Sequence, residues 1–188
     1  MFGTSGIRGR IGDEVTCDLA LAVGRALASE GYETVVVGRD ARESGQMLAD
    51  AAVSGLRECG ADVVRLGQQA TPTVARSVGW RDADAGLMVT ASHNPAPDNG
   101  LKLWQPSGQA FDGERRGRIE DRIAESAFEP AAWDESGDLE QWDGRARHAA
   151  ALADEVDADT LDSRVVVDVG NGAGGVTVDA LTELGCHV

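Results

Sequence analysis

The run Thr90-Ala91-Ser92-His93-Asn94-Pro95 places a hydroxyl, an imidazole and an amide next to one another. It follows the apolar stretch 86–89, which is typical of a buried strand. It precedes two prolines and an Asn-Gly pair, which exclude both helix and strand. Open α/β sheets carry their chemistry at such strand ends. Lys102 follows on a second short strand, and a serine able to carry a phosphate with a cation nearby indicates phosphoryl transfer.

Two more segments could bind a ligand. The glycine-rich segment 2–9 (FGTSGIRG) joins backbone amides to the hydroxyls of Thr4 and Ser5 and to Arg8. Such a loop can cradle a phosphate that the arginine grips with two donors, although a flexible N-terminus would have the same composition. The segment 38–42 (GRDAR) follows a predicted strand. It is either a structural Arg–Asp pair or part of a binding site.

Helices and strands alternate in the first half of the chain. Capping signals and β-branched runs predict helices over 17–30, 45–59 and 71–78 and strands over 34–37, 62–66, 86–89 and 101–104. Thr16 and Ser44 are the predicted caps of the first two helices, and 2–12 is predicted to be a loop. This alternation predicts a three-layer α/β/α domain with a mostly parallel sheet. The connection into 101–104 is too short for a helical crossover, so this strand should pair antiparallel at one side and make the sheet mixed.

The regular alternation of predicted helices and strands ends after residue 111. We predict a charged helix over 114–126, an irregular segment over 128–143 and a helix over 145–158. A strand over 165–169, a glycine-rich turn and a helix to 184 follow, and another strand begins at 186. A single βα unit has no sheet to join. We therefore expect domain I over 1–143, with 144–188 forming the start of a second, similar α/β domain that is truncated.

Composition excludes several classes of protein. The chain has 188 residues, a net charge of −15 and no basic footprint, which excludes a nucleic-acid partner. Its dispersed acidic residues are typical of a high-salt cytoplasm, as in a haloarchaeon, or of an ordinary acidic protein. Three widely spaced cysteines exclude a disulfide framework and a zinc knuckle. We expect a cytoplasmic protein with no membrane partner, because no signal peptide or spanning segment is present.

The 90–95 motif, the following Asp-Asn-Gly-Leu-Lys of 98–102 and the 2–9 segment together resemble the α-D-phosphohexomutase family. This family includes phosphoglucomutase, phosphomannomutase and phosphoglucosamine mutase. The resemblance implies that Ser92 is phosphorylated in the active enzyme, that His93 and Lys102 lie in the active site, and that Arg8 is the arginine of the N-terminal loop. It implies interconversion of a hexose 1-phosphate and 6-phosphate through a phosphoserine and a hexose bisphosphate.

The resemblance also implies a cofactor and roles for the site residues. Mg²⁺ would bridge the serine phosphate and an Asp-Gly-Asp-type loop that this sequence does not contain. Within the chain only Ser92, through its phosphate, is a candidate magnesium ligand, so the chain alone should be inactive. Arg8 and Lys102 would neutralise the phosphoryl group. His93 would act as a general acid or base, or would only shape the loop.

One residue of this sequence bears on the choice of sugar, while the family's sugar-selecting loop lies downstream of it. The family's glucosamine enzymes usually have Ser at the position of Thr90, which favours glucose or mannose phosphate, with phosphoglucosamine mutase as the alternative. The oligomeric state cannot be read from the sequence.

Three rival functions compete with this assignment. The segment Gly170 to Gly175 fits Gly-x-Gly-x-x-Gly between a predicted strand and a helix, as in a dinucleotide-binding module, although close helix–strand packing explains it more simply. A serine hydrolase using Ser92 and His93 is disfavoured, because adjacent side chains at a strand end point apart and no Gly-x-Ser-x-Gly elbow is present. A non-catalytic sugar-phosphate binder would not need Ser92, His93 and Lys102 intact.

Overall fold

A computed structural model of the chain describes residues 1–3, 6–156 and 161–188. Its strands are β1 (Ile7–Arg10), β2 (Thr34–Arg39), β3 (Asp62–Gln68), β4 (Ala85–Val89), β5 (Asp98–Trp104) and β6 (Leu139–Gln141). Its helices are α1 (Cys17–Ser29), α2 (Gly45–Glu58), α3 (Thr71–Trp80), α4 (Gly113–Glu125), α5 (Arg145–Asp154) and α6 (Gly175–Glu183). None of the helices in the described ranges has the length and hydropathy needed to cross a bilayer.

The strands form one sheet in the order β1-β5-β4-β2-β3-β6. The β2 strand is parallel to β3 and β4, and β6 is parallel to β3, whereas β5 is antiparallel to both β4 and β1. The predicted α/β/α domain with a mixed, mostly parallel sheet is therefore confirmed. The expected antiparallel pairing of β5 toward one side of the sheet is also confirmed, and β1 pairs outside it, with Ile7 opposite Leu101.

Two short strands lie in segments predicted to be irregular. Strand β1 forms within the predicted 2–12 loop, and β6 forms within 128–143. Neither contains a run of β-branched residues, which is the local signal for a strand. Both pair with a strand that is distant in sequence, so tertiary contacts and not local propensity create them.

The central strand β2 divides the core between the two faces of the sheet. Val35 and Val37 are buried with α1, α2 and α4, while Val36 is buried with α3. This division follows from the two-residue period of a strand. Helices α1 and α2 touch backbone to backbone, because a Cβ atom added at Gly24 would overlap the carbonyl oxygen of Ala52.

The predicted helix caps have different outcomes. Thr16 caps α1, since its hydroxyl accepts a hydrogen bond from the Leu19 amide at 3.1 Å. Ser44 precedes α2 but makes no side-chain capping bond. Its hydroxyl instead accepts from Asn99 Nδ2 at 2.9 Å. Asn99 follows the connection 90–97 between β4 and β5, which carries Ser92 and is called the serine loop below, and is thereby linked to the start of α2.

The predicted strand over 165–169 is wrong. This part of the chain pairs only through a bridge between Arg164 and His187, and Val166 is 97% exposed. The predicted strand at 186–188 is likewise reduced to that bridge. Helix α6 follows and packs on α5. The end of the predicted 145–158 helix, residues 157 and 158, lies outside the described residues. The domain boundary after 143 stays a prediction.

Candidate active site

Ser92 lies just beyond the carboxyl end of β4 with its side chain exposed. Its φ of 57° is in the left-handed region, which a residue other than glycine adopts only when its surroundings hold it there. Thr90 Oγ1 accepts from the Ser92 amide at 2.9 Å. The Thr90 hydroxyl donates in turn to Asp40 Oδ2 at 2.6 Å. A carboxylate from the end of β2 thus helps to fix the backbone of the serine.

His93 lies within reach of the serine hydroxyl, at 3.4 Å from Nδ1 to Oγ. The expectation that these side chains point apart is wrong, because the left-handed turn at Ser92 breaks the alternation of an extended strand. The contact is long for a hydrogen bond. Among the described residues no carboxylate is bonded to His93, so the third member of a hydrolase triad is missing.

Arg8 and Lys102 lie on one face of the sheet, on neighbouring strands. Arg8 is opposite Gly100, and Lys102 is two residues further along β5, opposite Met88 of β4. The side chain of Arg8 passes over Gly100, since a Cβ atom there would lie 3.0 Å from Arg8 Cγ. Glycine at position 100 therefore leaves the room that this arginine occupies.

Burial lowers the pKa of Lys102, and the positive charge of Arg8 lowers it further. The ammonium lies 4.3 Å from the centre of the Trp104 ring. Arg8 Nε is buried without a hydrogen-bond partner in the described residues. Two partly buried cations whose charges repel gain stability when an anion neutralises them. Neither cation is hydrogen-bonded to Ser92 among the described contacts, and Thr4 and Ser5 lie outside the described residues.

Two open cavities flank the serine loop. One, of about 450 Å³, is lined by Asp40, Arg42 and Ser92, and the other, of about 430 Å³, is lined by Asp40, Thr90, Ser92 and His93. The glycine-rich turn borders both, through Gly172 and Ala173 in the first and through Ala173 and Gly174 in the second. The turn predicted as a dinucleotide fingerprint therefore forms a wall opposite the serine. The strand that should precede such a fingerprint is not formed.

Sequence reasoning missed the part that the 38–42 segment plays at the serine loop. The structural Arg–Asp pair is confirmed, since Arg42 Nε lies 3.1 Å from Asp40 Oδ2. Arg42 also donates to carbonyl oxygens of the loop that follows β4. The position of both segments at carboxyl ends of neighbouring parallel strands was the signal that could have placed them together.

The described residues do not fit a complete magnesium site. They contain no cluster of three or more His, Cys, Asp or Glu side chains able to hold a metal ion. Asp40 borders both cavities, but its carboxylate is already bonded to Thr90 and Arg42. This part of the chain offers Mg²⁺ the Ser92 oxygen, or a phosphate on it, and no surrounding carboxylate cluster.

Comparison with known proteins identifies relatives of the whole chain. Residues 1–130 match the model of phosphoglucomutase/phosphomannomutase, alpha/beta/alpha domain I. A probable phosphoglucosamine mutase of Methanococcoides burtonii is 44% identical, with 100% of this chain and 43% of the relative aligned. A phosphoglucomutase/phosphomannomutase of Thermococcus kodakarensis is 41% identical, with the same coverage of both chains. The chain thus spans less than half the length of these curated relatives.

Solved structures agree with these relatives. A phosphoglucomutase/phosphomannomutase family protein from Burkholderia thailandensis superposes with a TM-score of 0.82 at 32% identity, over 98% of this chain and 42% of that one. A putative phosphomannomutase from Thermus thermophilus superposes with a TM-score of 0.78 at 33% identity, over 98% of this chain and 43% of that one. The similarity therefore extends beyond the residues that the family model matches.

Proposed function

Because the chain belongs to the phosphoglucomutase/phosphomannomutase family, we propose that it supplies the phosphoserine of a phosphohexomutase, with Ser92 as the phosphoryl carrier. The family acts on hexose phosphates and generally uses a magnesium ion. One observation carries the proposal: the exposed Ser92 hydroxyl stands on a fixed left-handed turn between two open cavities. A group held in this way is presented to a ligand on either side.

The reaction consists of two transfers of a phosphoryl group. In the first, the bond from phosphorus to Ser92 Oγ breaks, a bond to the free hydroxyl of the sugar phosphate forms, and the proton of that hydroxyl ends on the serine. A hexose bisphosphate results. In the second, the other phosphoryl group returns to Ser92, and the proton moves back to the sugar. His93 is the group that can hold the proton beside Oγ, because its Nδ1 is 3.4 Å away.

Arg8 and Lys102 provide the positive charge for the phosphate of the bound sugar. Both lie on the face of the sheet that includes Met88 and Thr90, two residues lining the cavity beside His93. The lowered pKa of Lys102 reflects burial and the repulsion from Arg8. A bound phosphate removes that repulsion, so binding and charge pairing support each other. We assign Thr4 and Ser5 to the same phosphate.

For the sugar, we propose glucose or mannose phosphate, as Thr90 favours, with glucosamine phosphate as the alternative. The names of the relatives include both possibilities. Initial rates with the 1-phosphates of glucose, mannose and glucosamine, measured on the enzyme that carries this chain, decide between them. A preference for glucosamine 1-phosphate would overturn the assignment of the sugar and leave the assignment of the carrier intact.

We also propose that residues 1–143 form the phosphoserine domain and that 144–188 begin a second domain. Helices α5 and α6 pack on each other, and Ala149, Val176 and Ala180 form their buried cluster. The turn before α6 reaches the cavities beside Ser92. In this arrangement the second domain completes the wall of the site.

The carrier role is tested by mass spectrometry and turnover of the enzyme that carries this chain. We expect a phosphate on the Ser92 peptide, and we expect Ser92→Ala to lose both this phosphate and more than roughly 10³-fold in kcat. Ser107→Ala is the matched control, because Ser107 is exposed in a turn at the other end of β5. Normal turnover by Ser92→Ala would disprove the proposed function.

A further inference from the structure

We propose that Arg42 is a positioning residue that holds the Ser92 loop in the conformation needed for phosphoryl transfer, on the premise that the proposed function holds. Arg42 lines one of the cavities beside Ser92, but its N–H groups are all bonded to the protein and are not available to a sugar. It acts through the backbone of the loop and through Asp40.

The guanidinium of Arg42 binds both limbs of the loop that connects β4 to β5. Nη2 donates to the carbonyl oxygens of Ser92 at 2.9 Å and Asn94 at 2.7 Å. Nη1 donates to those of Pro95 and Asp98, each at 2.8 Å. With Nε on Asp40, the five N–H donors of the guanidinium have five acceptors. One side chain thus accounts for hydrogen bonds to four carbonyl groups and connects the two ends of the loop.

The same arginine reaches the amide side of Ser92 through two other residues. Asp40 Oδ2 accepts from Arg42 Nε and from the Thr90 hydroxyl, and Thr90 Oγ1 accepts from the Ser92 amide. The carbonyl and the amide of Ser92 are therefore both held in one network that has Arg42 as its centre. This network accounts for the persistence of the left-handed φ of 57° at Ser92.

Arg42 also changes the charge that a phosphoserine would meet. Asp40 borders both cavities that flank Ser92. A phosphate on Ser92 would add about two negative charges near this carboxylate. The ion pair with Arg42, whose side chain is 13% exposed, offsets the charge of Asp40. Without the arginine, the carboxylate would repel the phosphoserine and the loop would lose the donor that gathers its carbonyl groups.

Lysine cannot replace Arg42 in this arrangement. An ammonium carries three N–H donors on one nitrogen atom. The four carbonyl groups and the Asp40 carboxylate are instead arranged around the planar guanidinium and its five donors. The substitution Arg42→Lys keeps the charge and removes the geometry. It therefore separates positioning from simple neutralisation of Asp40.

The experiment uses the phosphorylated enzyme that carries this chain, with steady-state kinetics and thermal melting of each variant. We expect Arg42→Lys to keep KM for the hexose phosphate within about twofold and to lower kcat by about 10²-fold, as a misplaced reacting group does. Millimolar guanidinium ion should restore part of the kcat of Arg42→Ala and leave the wild type unchanged. Arg25→Lys is the control, because Arg25 of α1 makes a forked pair with Glu58 at the end of α2 and has no bond to the Ser92 loop among the described contacts.

The outcomes distinguish this inference from the proposed function. A wild-type enzyme with neither phosphoserine nor turnover would disprove the function. An active wild type with Arg42→Lys at the same kcat would overturn the positioning role alone. A loss in Arg42→Ala that appears mainly in KM and is not restored by guanidinium ion would also overturn it. A loss confined to kcat in a variant that melts as the wild type does would support it.

Discussion

Two valine-rich segments of this chain have similar sequences and different structures. The first, 34–38 (TVVVG), lies in β2 at the centre of the sheet, with Val35, Val36 and Val37 all buried. The second, 165–170 (VVVDVG), contains no strand, and Val166 is almost fully exposed. Each segment is followed by residues that line the two cavities beside Ser92. The difference shows that a β-branched run becomes a strand only where neighbouring strands can pair with it.

The central strand owes its structure to partners on both sides. Strand β3 pairs with it from Thr34 to Arg39, and β4 pairs with it from Val35 onward. Helices cover both of its faces. The second segment has only one bridge beside it, between Arg164 and His187, and no sheet around it in the described residues. Stability should therefore differ sharply between the two regions.

The largest effect should come from a charge placed in each valine run. Val36→Asp buries a carboxylate without a partner in the core, so it should lower the free energy of unfolding by more than about 4 kcal/mol. Val166→Asp should change the free energy of unfolding by less than about 0.5 kcal/mol, because the side chain is already in water. Urea denaturation of both variants measures the difference. Equal effects would contradict the comparison.

An added methyl group should distinguish the helices of the two regions. Gly24→Ala forces α1 away from the Ala52 carbonyl of α2 and should cost about 1–3 kcal/mol. In Gly175→Ala the new Cβ would lie 2.7 Å from Arg145 Nη1, the end of a flexible side chain. Arg145 can move at the expense of its exposed pair with Asp179, so this change should cost less than about 1 kcal/mol. Thermal melting compares them, and a larger loss for Gly175→Ala would refute the packing assigned to α1 and α2.

Acid should weaken the contact between α5, which precedes the second valine run, and α3 of the first domain. His148 of α5 is buried against α3, where its Nδ1 lies 2.7 Å from Thr73 Oγ1. Burial, and secondarily the charge of Arg76, lower its pKa, with Glu155 opposing. Below the ordinary histidine pKa of about 6.5, the unfolded chain binds a proton that the folded chain does not. Stability should therefore fall as the pH decreases from there toward the lowered pKa, by at most about 1.4 kcal/mol per pH unit.

Denaturation between about pH 5 and pH 8 measures this slope, and His148→Gln is the control because its side chain stays neutral. The difference in unfolding free energy between wild type and variant should be constant above about pH 7 and change below it. A difference that is constant over the whole range would show that His148 does not link the two regions in this way.

Salt should have the smallest effect and should not distinguish the two regions. The net charge of −15 is dispersed, so screening by KCl relieves repulsion over the whole surface. We expect a gain of about 1 kcal/mol, or roughly 3 °C in Tm, between about 0.1 and 2 M KCl. Melting of the wild type and of Gly175→Ala should shift in parallel. A fall in Tm with KCl would contradict the high-salt interpretation of the composition.

The sequence allowed a good prediction of the elements that have strong local patterns. Strands β2, β3 and β4 and helices α1, α2 and α3 lie where β-branched runs and capping signals placed them, within a few residues. Strand β1 was missed because Ile7 is its only β-branched residue, and its pairing depends on β5, which lies far along the chain. The segment 165–169 had the stronger pattern and formed no strand, because it lacks a sheet to join.

The same limit applies to the site. Ser92, His93 and Lys102 were predicted as site residues from the types of residue around a strand end. The contact of His93 with Ser92 was not predicted, because it depends on a left-handed φ at Ser92 that no local sequence pattern indicates. The 38–42 segment was interpreted as an Arg–Asp pair or part of a binding site, without a choice between Arg39 and Arg42. The four carbonyl acceptors of Arg42 come from a part of the chain much further along.

By itself the sequence determined which residues could carry a phosphate and which segments of the first region would be helix or strand, because side-chain chemistry and the helix and strand periods of about 3.6 and 2 residues are local properties. Only the tertiary structure decided which valine run became a strand, which arginine holds the Ser92 loop and which turn stands opposite the serine. These outcomes depend on hydrogen-bond partners and packing surfaces from distant parts of the chain, which only the folded arrangement brings together.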